Sequence, residues 1–373
     1  MTYQREPVVE ERVGGLLVRL VELPWARSVG GCLSVGCGSR DDGPAPASTA
    51  HLAEHVRVAA GTAAGREAEA VFAQTDIART QFRATAAPED AARLTRRLVD
   101  ILGDASVDEQ ALESERAAVE LETARMDASP LLRAGGMFAA AAASEPGMDA
   151  VARTTRADIH EVTYRHVADL VAWGYRAANS VLALAGPPGA LRAVPEAVAT
   201  RIGSPPSTAA ARPLATRPPL RLPALDGLLA VTFTRPRSAD FPYQRALLSD
   251  RGPLVRAAAD FGTALLGRTT VDNAHQAVDV LCWRPGADWE RLAGRLLAVC
   301  HDPGPLVGPE LVAQVARAAR QQEAFNTFTP MARALRAAVP DAPAGGPGHL
   351  AVWHVAHGVP APVGPEAVVA GGP

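Results

Sequence analysis

The chain contains no lysine. All 37 of its Lys-or-Arg positions are arginine, a bias that reads as genome composition rather than function. Aromatic residues are few, at 5%, and no basic stripe carries interleaved aromatics, which excludes nucleic acid as a partner. The formal net charge is only -3. No uninterrupted apolar stretch is long enough to span a bilayer as a helix, so no membrane partner is expected. No signal peptide is visible in the polar, charged stretch Met1 to Glu11, and the expectation is a soluble, cytoplasmic enzyme. Cysteine is limited to Cys32, Cys37, Cys282 and Cys300, without zinc-finger spacing. If Cys32 and Cys37 share one strand, they face opposite ways about 16 Å apart, too far for a bond. Reduced, mostly buried thiols are therefore expected.

Histidine is also scarce, and two of the nine stand together in His51-Leu52-Ala53-Glu54-His55. On a helix, positions i and i+4 lie one above the other on one face. His51 and His55 can therefore hold one metal ion between their imidazoles, with Glu54 close enough to act on a water beside it. The H-x-x-E-H order is the reverse of the commoner H-E-x-x-H zinc motif. The plain alternative is a surface helix with two solvated histidines and a salt-bridging Glu. The preceding sequence favours a site: an apolar run from Val29 ends in Val35 to Arg40, a strand entering a glycine turn. Ser48 and Thr49 then offer N-caps for the helix.

Two histidines leave a tetrahedral zinc site one protein ligand short. Val107 to Met126 has strong helix-forming composition, with Asp108 as a candidate N-cap. Leu112, Glu115, Val119, Glu122 and Met126 recur at spacings of three and four, the pattern of a buried stripe. A buried carboxylate is costly unless paired or metal-bound. Glu122 is the expected third ligand, and Glu115, two turns earlier, the partner that orients a histidine or the ligand. Pairing of both acids with Arg116, Arg125 or other arginines is the competing reading. Glu113 and Glu120 are rival ligands if the inward face lies elsewhere.

These residues resemble the pitrilysin family of zinc peptidases, which includes insulysin and the mitochondrial processing peptidase. Residues 9–40 are similar to its opening hairpin, with Gly14-Gly15 at the turn and Gly38-Ser39-Arg40 at the strand end. His51 to His55 matches its motif, Gly61-Thr62 follows as in the family, and Glu115 to Glu122 is similar to its Glu-Arg-x-x-Val-x-x-Glu helix. Thr155 to Tyr175, Asn179 and the run to Gly186 look like its closing helix and strand. The resemblance implies Zn²⁺ held by His51, His55 and Glu122, with Glu54 catalytic and Glu115 in support. It also implies a peptide substrate and a homodimer or a heterodimer with a related chain. Two departures stand out. The family's Asn-Ala-x-Thr segment has no counterpart read near Gln74 to Thr80, and the His55 to Glu122 interval is short. In the second half, Leu254-Val255-Arg256 resembles a segment whose Arg contacts substrate, making Arg256 a candidate substrate-binding residue. No tyrosine follows it between Ala257 and Leu265.

At this length two domains of ordinary size are expected. The stretch 203–223, rich in Pro, Ala, Ser and Arg, reads as a linker. It separates a zinc-bearing domain, 1–202, from a degenerate second domain, 224–373. The expected fold class is α+β: two related halves, each a mostly antiparallel sheet packed on helices, the second reduced. Ile77 to Ala86 alternates as a half-buried strand. Pro88-Glu89-Asp90 opens a helix with Leu94, Leu98, Ile101 and Leu102 inward. Beyond the linker, strands are expected over Leu228–Phe233 and Ala277–Trp283. Helices are expected over Tyr243–Leu265, Trp289–Cys300, Glu310–Phe325 and Met331–Val339. The Gly/Pro/Ala-rich end is expected to fray, and its His349, His354 and His357 lack ligand partners. The functional expectation is a zinc endopeptidase acting on short or extended peptides, narrowed to precursor or leader-peptide processing. The competing expectation is a non-catalytic, substrate-presenting subunit.

Overall fold

A computed structural model of the chain describes residues 8–63, 71–103, 109–143, 147–202, 220–236, 241–272, 276–302, 307–326, 329–339, 348–357 and 359–369. In chain order, β1 (Val8–Val13), β2 (Leu16–Glu22) and β3 (Val29–Val35) lead to α1 (Thr49–Ala63), then β4 (Phe72–Thr75), β5 (Thr80–Ala86), α2 (Ala91–Asp100) and α3 (Glu109–Asp127). Next come α4 (Pro130–Ala142), α5 (Ala150–Arg153), α6 (Arg156–Glu161), α7 (Tyr164–Gly174), β6 (Ser180–Gly186), α8 (Pro188–Leu191) and α9 (Val194–Ala199). The second half holds β7 (Leu229–Pro236), α10 (Pro242–Leu247), α11 (Pro253–Ala259), β8 (Leu265–Asp272) and β9 (Gln276–Trp283). It closes with α12 (Trp289–His301), α13 (Pro309–Asn326), α14 (Pro330–Ala338), β10 (Gly348–Ala356), β11 (Val359–Pro362) and β12 (Ala367–Val369).

The first compact unit draws its described residues from 1–123, 154–215 and 324–340, the second from 124–153, 216–323 and 341–373. The units thus interleave, where the sequence reading draws consecutive stretches. In the first unit the strand order is β1-β2-β6-β3-β5-β4. Only the β2–β6 pair is parallel; the others are antiparallel. In the second the order is β11-β10-β7-β9-β8, with β12 also on β10, and every pair is antiparallel. The run β6-β3-β5-β4 of one sheet therefore recurs as β10-β7-β9-β8 in the other. This is the expected fold class, two related α+β halves. The second is reduced where it matters: 15-residue α1 is answered by six-residue α10 and seven-residue α11.

Each sheet also receives a helix from the opposite half of the sequence. Helix α14 lays Ala334 and Ala338 on Cys32, Ala183 and Ala185. It approaches so closely that a Cβ on Gly30 would meet the Met331 backbone nitrogen at 2.3 Å. Helix α4 does the same in the second unit, where a Cβ on Gly267 would meet the Leu131 side chain at 2.3 Å. Small residues at such contacts let backbones come close where a larger side chain would force them apart.

Several expectations change. The stretch read as one helix over Tyr243–Leu265 is two short helices and the start of β8, whose exposed–half-buried alternation is that of a strand. The segment expected to fray forms β10, paired to β7 on one side and to β11 and β12 on the other. Its Leu350, Ala351, Val352 and Val355 are buried, so sheet pairing and packing override a Gly/Pro-rich composition. The Asp108 cap and positions 203–219 of the linker lie outside the described residues. All four cysteines are buried and free. No described helix is long and apolar enough to cross a membrane.

Candidate metal centre

Helix α1 is fixed at its start by a side chain that arrives from outside it. The Asp42 carboxylate accepts from the backbone N–H of Ser48 at 3.0 Å and of Ala50 at 2.7 Å. It thus fills the role expected of Ser48 or Thr49. Ser48 adopts φ 78°, and Thr49 turns its hydroxyl back to the Pro46 carbonyl at 2.7 Å. A carboxylate among the first N–H groups of a helix is favoured by both hydrogen bonding and the helix dipole. Upstream, Gly38 lies so close to the 76–79 loop that a Cβ there would meet the Arg79 nitrogen at 2.4 Å. Leu52, Ala53 and Val56 anchor the inner face of α1 at 0–2% exposure. His51 and His55 lie half-buried on its flank.

The two rings meet the carboxylates of α3. His51 Nε2 lies 3.2 Å from Glu122 Oε2, and His55 Nε2 lies 3.8 Å from the same oxygen. The ring centroids are 5.0 Å apart at 72°. One donor atom from each of His51, His55 and Glu122 falls within 4.8 Å of the others. Ligands of a tetrahedral zinc at about 2.0–2.1 Å stand roughly 3.4 Å apart, so this donor set fits that ion in both chemistry and span. The other nitrogen of the His55 ring, Nδ1, is 3.1 Å from Glu115 Oε2. Donation to that carboxylate would set the tautomer that leaves the Nε2 lone pair free for an ion held with Glu122.

The inward face of α3 differs from the expected one. Its buried residues are Leu112, Arg116, Val119 and Thr123, while the Glu122 side chain is 48% exposed and that of Glu115 26%. The carboxylates flank the stripe rather than belong to it. Arg116 occupies the interior because its guanidinium donates to the carbonyls of Val162, at 3.0 Å, and Ile159. The rival acids are engaged elsewhere. Glu113 grips Arg116 through both oxygens, at 3.2 and 2.9 Å. Glu120 pairs with Arg156 at 3.0 Å and His160 at 2.9 Å.

Glu54 is buried, at 6% exposure. The Thr75 hydroxyl donates to its Oε2 at 2.7 Å. Thr75 Oγ1 is 3.2 Å from Thr80 Oγ1, which donates to the Cys37 carbonyl at 2.9 Å. Burial pushes the Glu54 pKa up, and the Thr75 hydrogen bond and the neighbouring His51 and His55 pull it back, while Glu122 raises it further. That balance suits a general base, which needs a pKa nearer the working pH than an exposed carboxylate has. Sequence reasoning missed Thr75, although a signal was present. Strand β4 reads Phe72-Ala73-Gln74-Thr75, so the Ala-x-Thr of the family pattern is there, and Phe72 replaces its Asn. Arg256 sits on the exposed side of α11, in the unit that does not carry His51 and His55.

No family model matches the chain, and no curated protein matches its sequence. Solved structures do. An M16-like peptidase from Alicyclobacillus acidocaldarius superposes with a TM-score of 0.65 at 16% identity, covering 90% of this chain and 88% of that one. A chain of complex III2 from Candida albicans gives 0.65 at 12% identity, covering 89% and 85%. Pitrilysin gives 0.60 at 17% identity, covering 91% of this chain and 42% of its own. The chain therefore has the pitrilysin-like fold of M16 peptidases. At these identities the likeness concerns the fold, and activity has to be argued from the site.

Proposed function

We propose that this chain is a zinc-dependent endopeptidase whose first unit carries the site. One observation supports the reading above others: the His51, His55 and Glu122 donors converge within 4.8 Å beside a buried carboxylate, Glu54, held at 2.7 Å by Thr75. His51, His55 and Glu122 would hold the ion, with Glu115 orienting His55. Zinc bound there would lower the pKa of a water molecule and polarise a peptide carbonyl. Glu54 takes the proton from the attacking water and delivers it to the departing amine as the C–N bond breaks. Among the described residues strand β4 ends the sheet, so its outer edge would offer main-chain groups to an extended peptide beside Glu54. The substrate class is short or extended peptides, narrowed to precursor or leader-peptide processing by the reduced second unit. That unit, with Arg256, would act as a degenerate partner domain, alone or in a homodimer or heterodimer with a related chain. Buried free thiols suit a reducing compartment such as the cytoplasm.

Metal analysis and peptide digestion test this together. The wild-type chain should carry about one zinc per chain and cleave peptides in a chelator-sensitive way, and Glu54→Gln should keep the metal and lose hydrolysis. Turnover retained in Glu54→Gln overturns the assigned role. A second reading is a non-catalytic, substrate-presenting subunit. It is favoured by the similarity to a chain of complex III2 and by the short helices α10 and α11. Zinc-free protein without hydrolysis would select it.

A further inference from the structure

We infer that Phe72 is a specificity-determining residue that selects peptides with an aromatic or large apolar side chain at one fixed position; this rests on the reading that an extended peptide adds to β4. Side chains alternate along a strand, and in β4 the alternation separates two tasks. Ala73 and Thr75 point inward: Ala73 pairs with buried Phe82 and Thr75 with Thr80. Phe72 and Gln74 share the opposite face with their partners Arg83 and Gln81. Gln74 is held in place there, accepting from Arg83 at 3.1 Å and donating to Asp76 at 2.9 Å. Phe72 instead stands 68% exposed.

An aromatic ring left in water on a sheet edge is a large apolar surface, and among the described residues it stays mostly uncovered. A strand added at that edge brings its own side chains into register with those of β4. Directly opposed residues then sit about 4.5–5.5 Å apart between Cβ atoms, and diagonal ones about 7–8 Å. The incoming side chain on the Phe72 face is therefore the group that covers the ring. Phe72 stands three residues from Thr75, about 10 Å along the strand, while Thr75 faces Glu54. The selected side chain thus lies about three residues from the part of the peptide beside the general base. An aromatic or β-branched aliphatic residue packs well on a ring in this geometry, and a small or charged residue leaves it wet.

The test is equilibrium binding of fluorescein-labelled ten-residue peptides to the full-length chain carrying Glu54→Gln, with zinc present. The peptides have a Ser/Thr/Gly background with a single Phe moved along them. Phe at one position should tighten binding about fivefold over the all-polar peptide, the size of a good cross-strand aromatic pair. Adding Phe72→Ser should erase that gain and leave binding of the all-polar peptide within about twofold. No position-dependent gain, a gain that survives Phe72→Ser, or no peptide binding at all would each overturn the inference. So would a change in native mass with Phe72→Ser and no loss of preference, since Phe72 would then belong to a subunit contact. Cleavage of the same peptides by wild type is scored separately. A Phe72-dependent preference without cleavage sinks the peptidase reading alone, and cleavage without the preference sinks this inference alone.

Discussion

Thr75, the last residue of an edge strand, holds Glu54 on the helix that carries both histidines, hydroxyl to carboxylate at 2.7 Å. The strand on which a peptide would dock and the proposed general base are therefore mechanically joined. A hydrogen bond to a charged group contributes about 1.5–3 kcal/mol. If that bond orients the base during proton transfer, Thr75→Val should lower kcat for peptide hydrolysis about tenfold to a hundredfold. KM should change little and zinc content not at all, and Thr75→Ser should restore most of the rate. A Thr75→Val enzyme with wild-type kcat, or a Thr75→Ser enzyme as slow as Thr75→Val, would show that the contact serves packing only.

Glu115 is placed to act on a bound metal only through His55. Its oxygen lies 3.1 Å from Nδ1, leaving Nε2 on the side of Glu122. Partners of this kind fix the orientation of a ligating ring, and their loss commonly weakens metal binding 10–100-fold. Glu115→Ala should therefore weaken zinc binding by about that factor, read by competition with a chromophoric chelator. The exposed, Arg-paired Glu113→Ala serves as the control. Equal zinc affinities in the two variants would remove Glu115 from the site.

The placement of the candidate site residues was legible in the sequence wherever their geometry is local. His51, Glu54 and His55 are brought together by helix periodicity alone, and Glu115 and Glu122 by two further turns on another helix. The inward face of α3 was not legible, because Arg116 is charged and periodicity counts it as outward. What buries it is a pair of carbonyls, at Ile159 and Val162, supplied by chain more than forty residues away. Asp42 was missed for the same reason, acting through tertiary contact on groups outside its own segment, and Thr75 because Phe72 stands where the family pattern has Asn. Among the strands, β8 carries Gly267, Arg268 and two threonines on an edge, too polar to stand out against an alanine-rich background. Strand β10 hid behind its composition, since its order comes from β7 and β11 on either side.

His354 should give the second unit a pH dependence separate from the candidate metal centre. Its ring stacks on Trp289 with centroids 3.7 Å apart and planes at 8°. Burial lowers its pKa below the usual 6.5, with Asp226 and Glu290 pulling it partly back. The unfolded chain thus binds this proton more tightly than the folded one. Its contribution to stability is present above about pH 6.5 and is lost as pH falls toward the lower, folded pKa. His354→Phe keeps the stack without the proton. The fall in Tm between about pH 7.5 and pH 5.5 should be smaller in that variant than in wild type. An equal or larger fall would assign the acid sensitivity to other groups.

Asp42 ties the start of α1 to the loop before it, and metal affinity should depend on that tie if His51 is a ligand. It is 2% exposed and accepts from Ser48 and Ala50, and Ala50 immediately precedes His51, the first candidate ligand. Losing both bonds leaves two buried N–H groups unpaired at the start of α1, a change that costs about 2 kcal/mol at caps of this kind. Asp42→Ala should lower the stability of the first unit by about that amount in urea. It should also weaken zinc binding, because the first turn of α1 carries His51. Asp42→Asn keeps a neutral acceptor but loses the favourable charge at the helix start, so it should fall between the two. Stability and zinc affinity both at wild-type values in Asp42→Ala would mean that packing of Leu52, Ala53 and Val56 alone positions the helix.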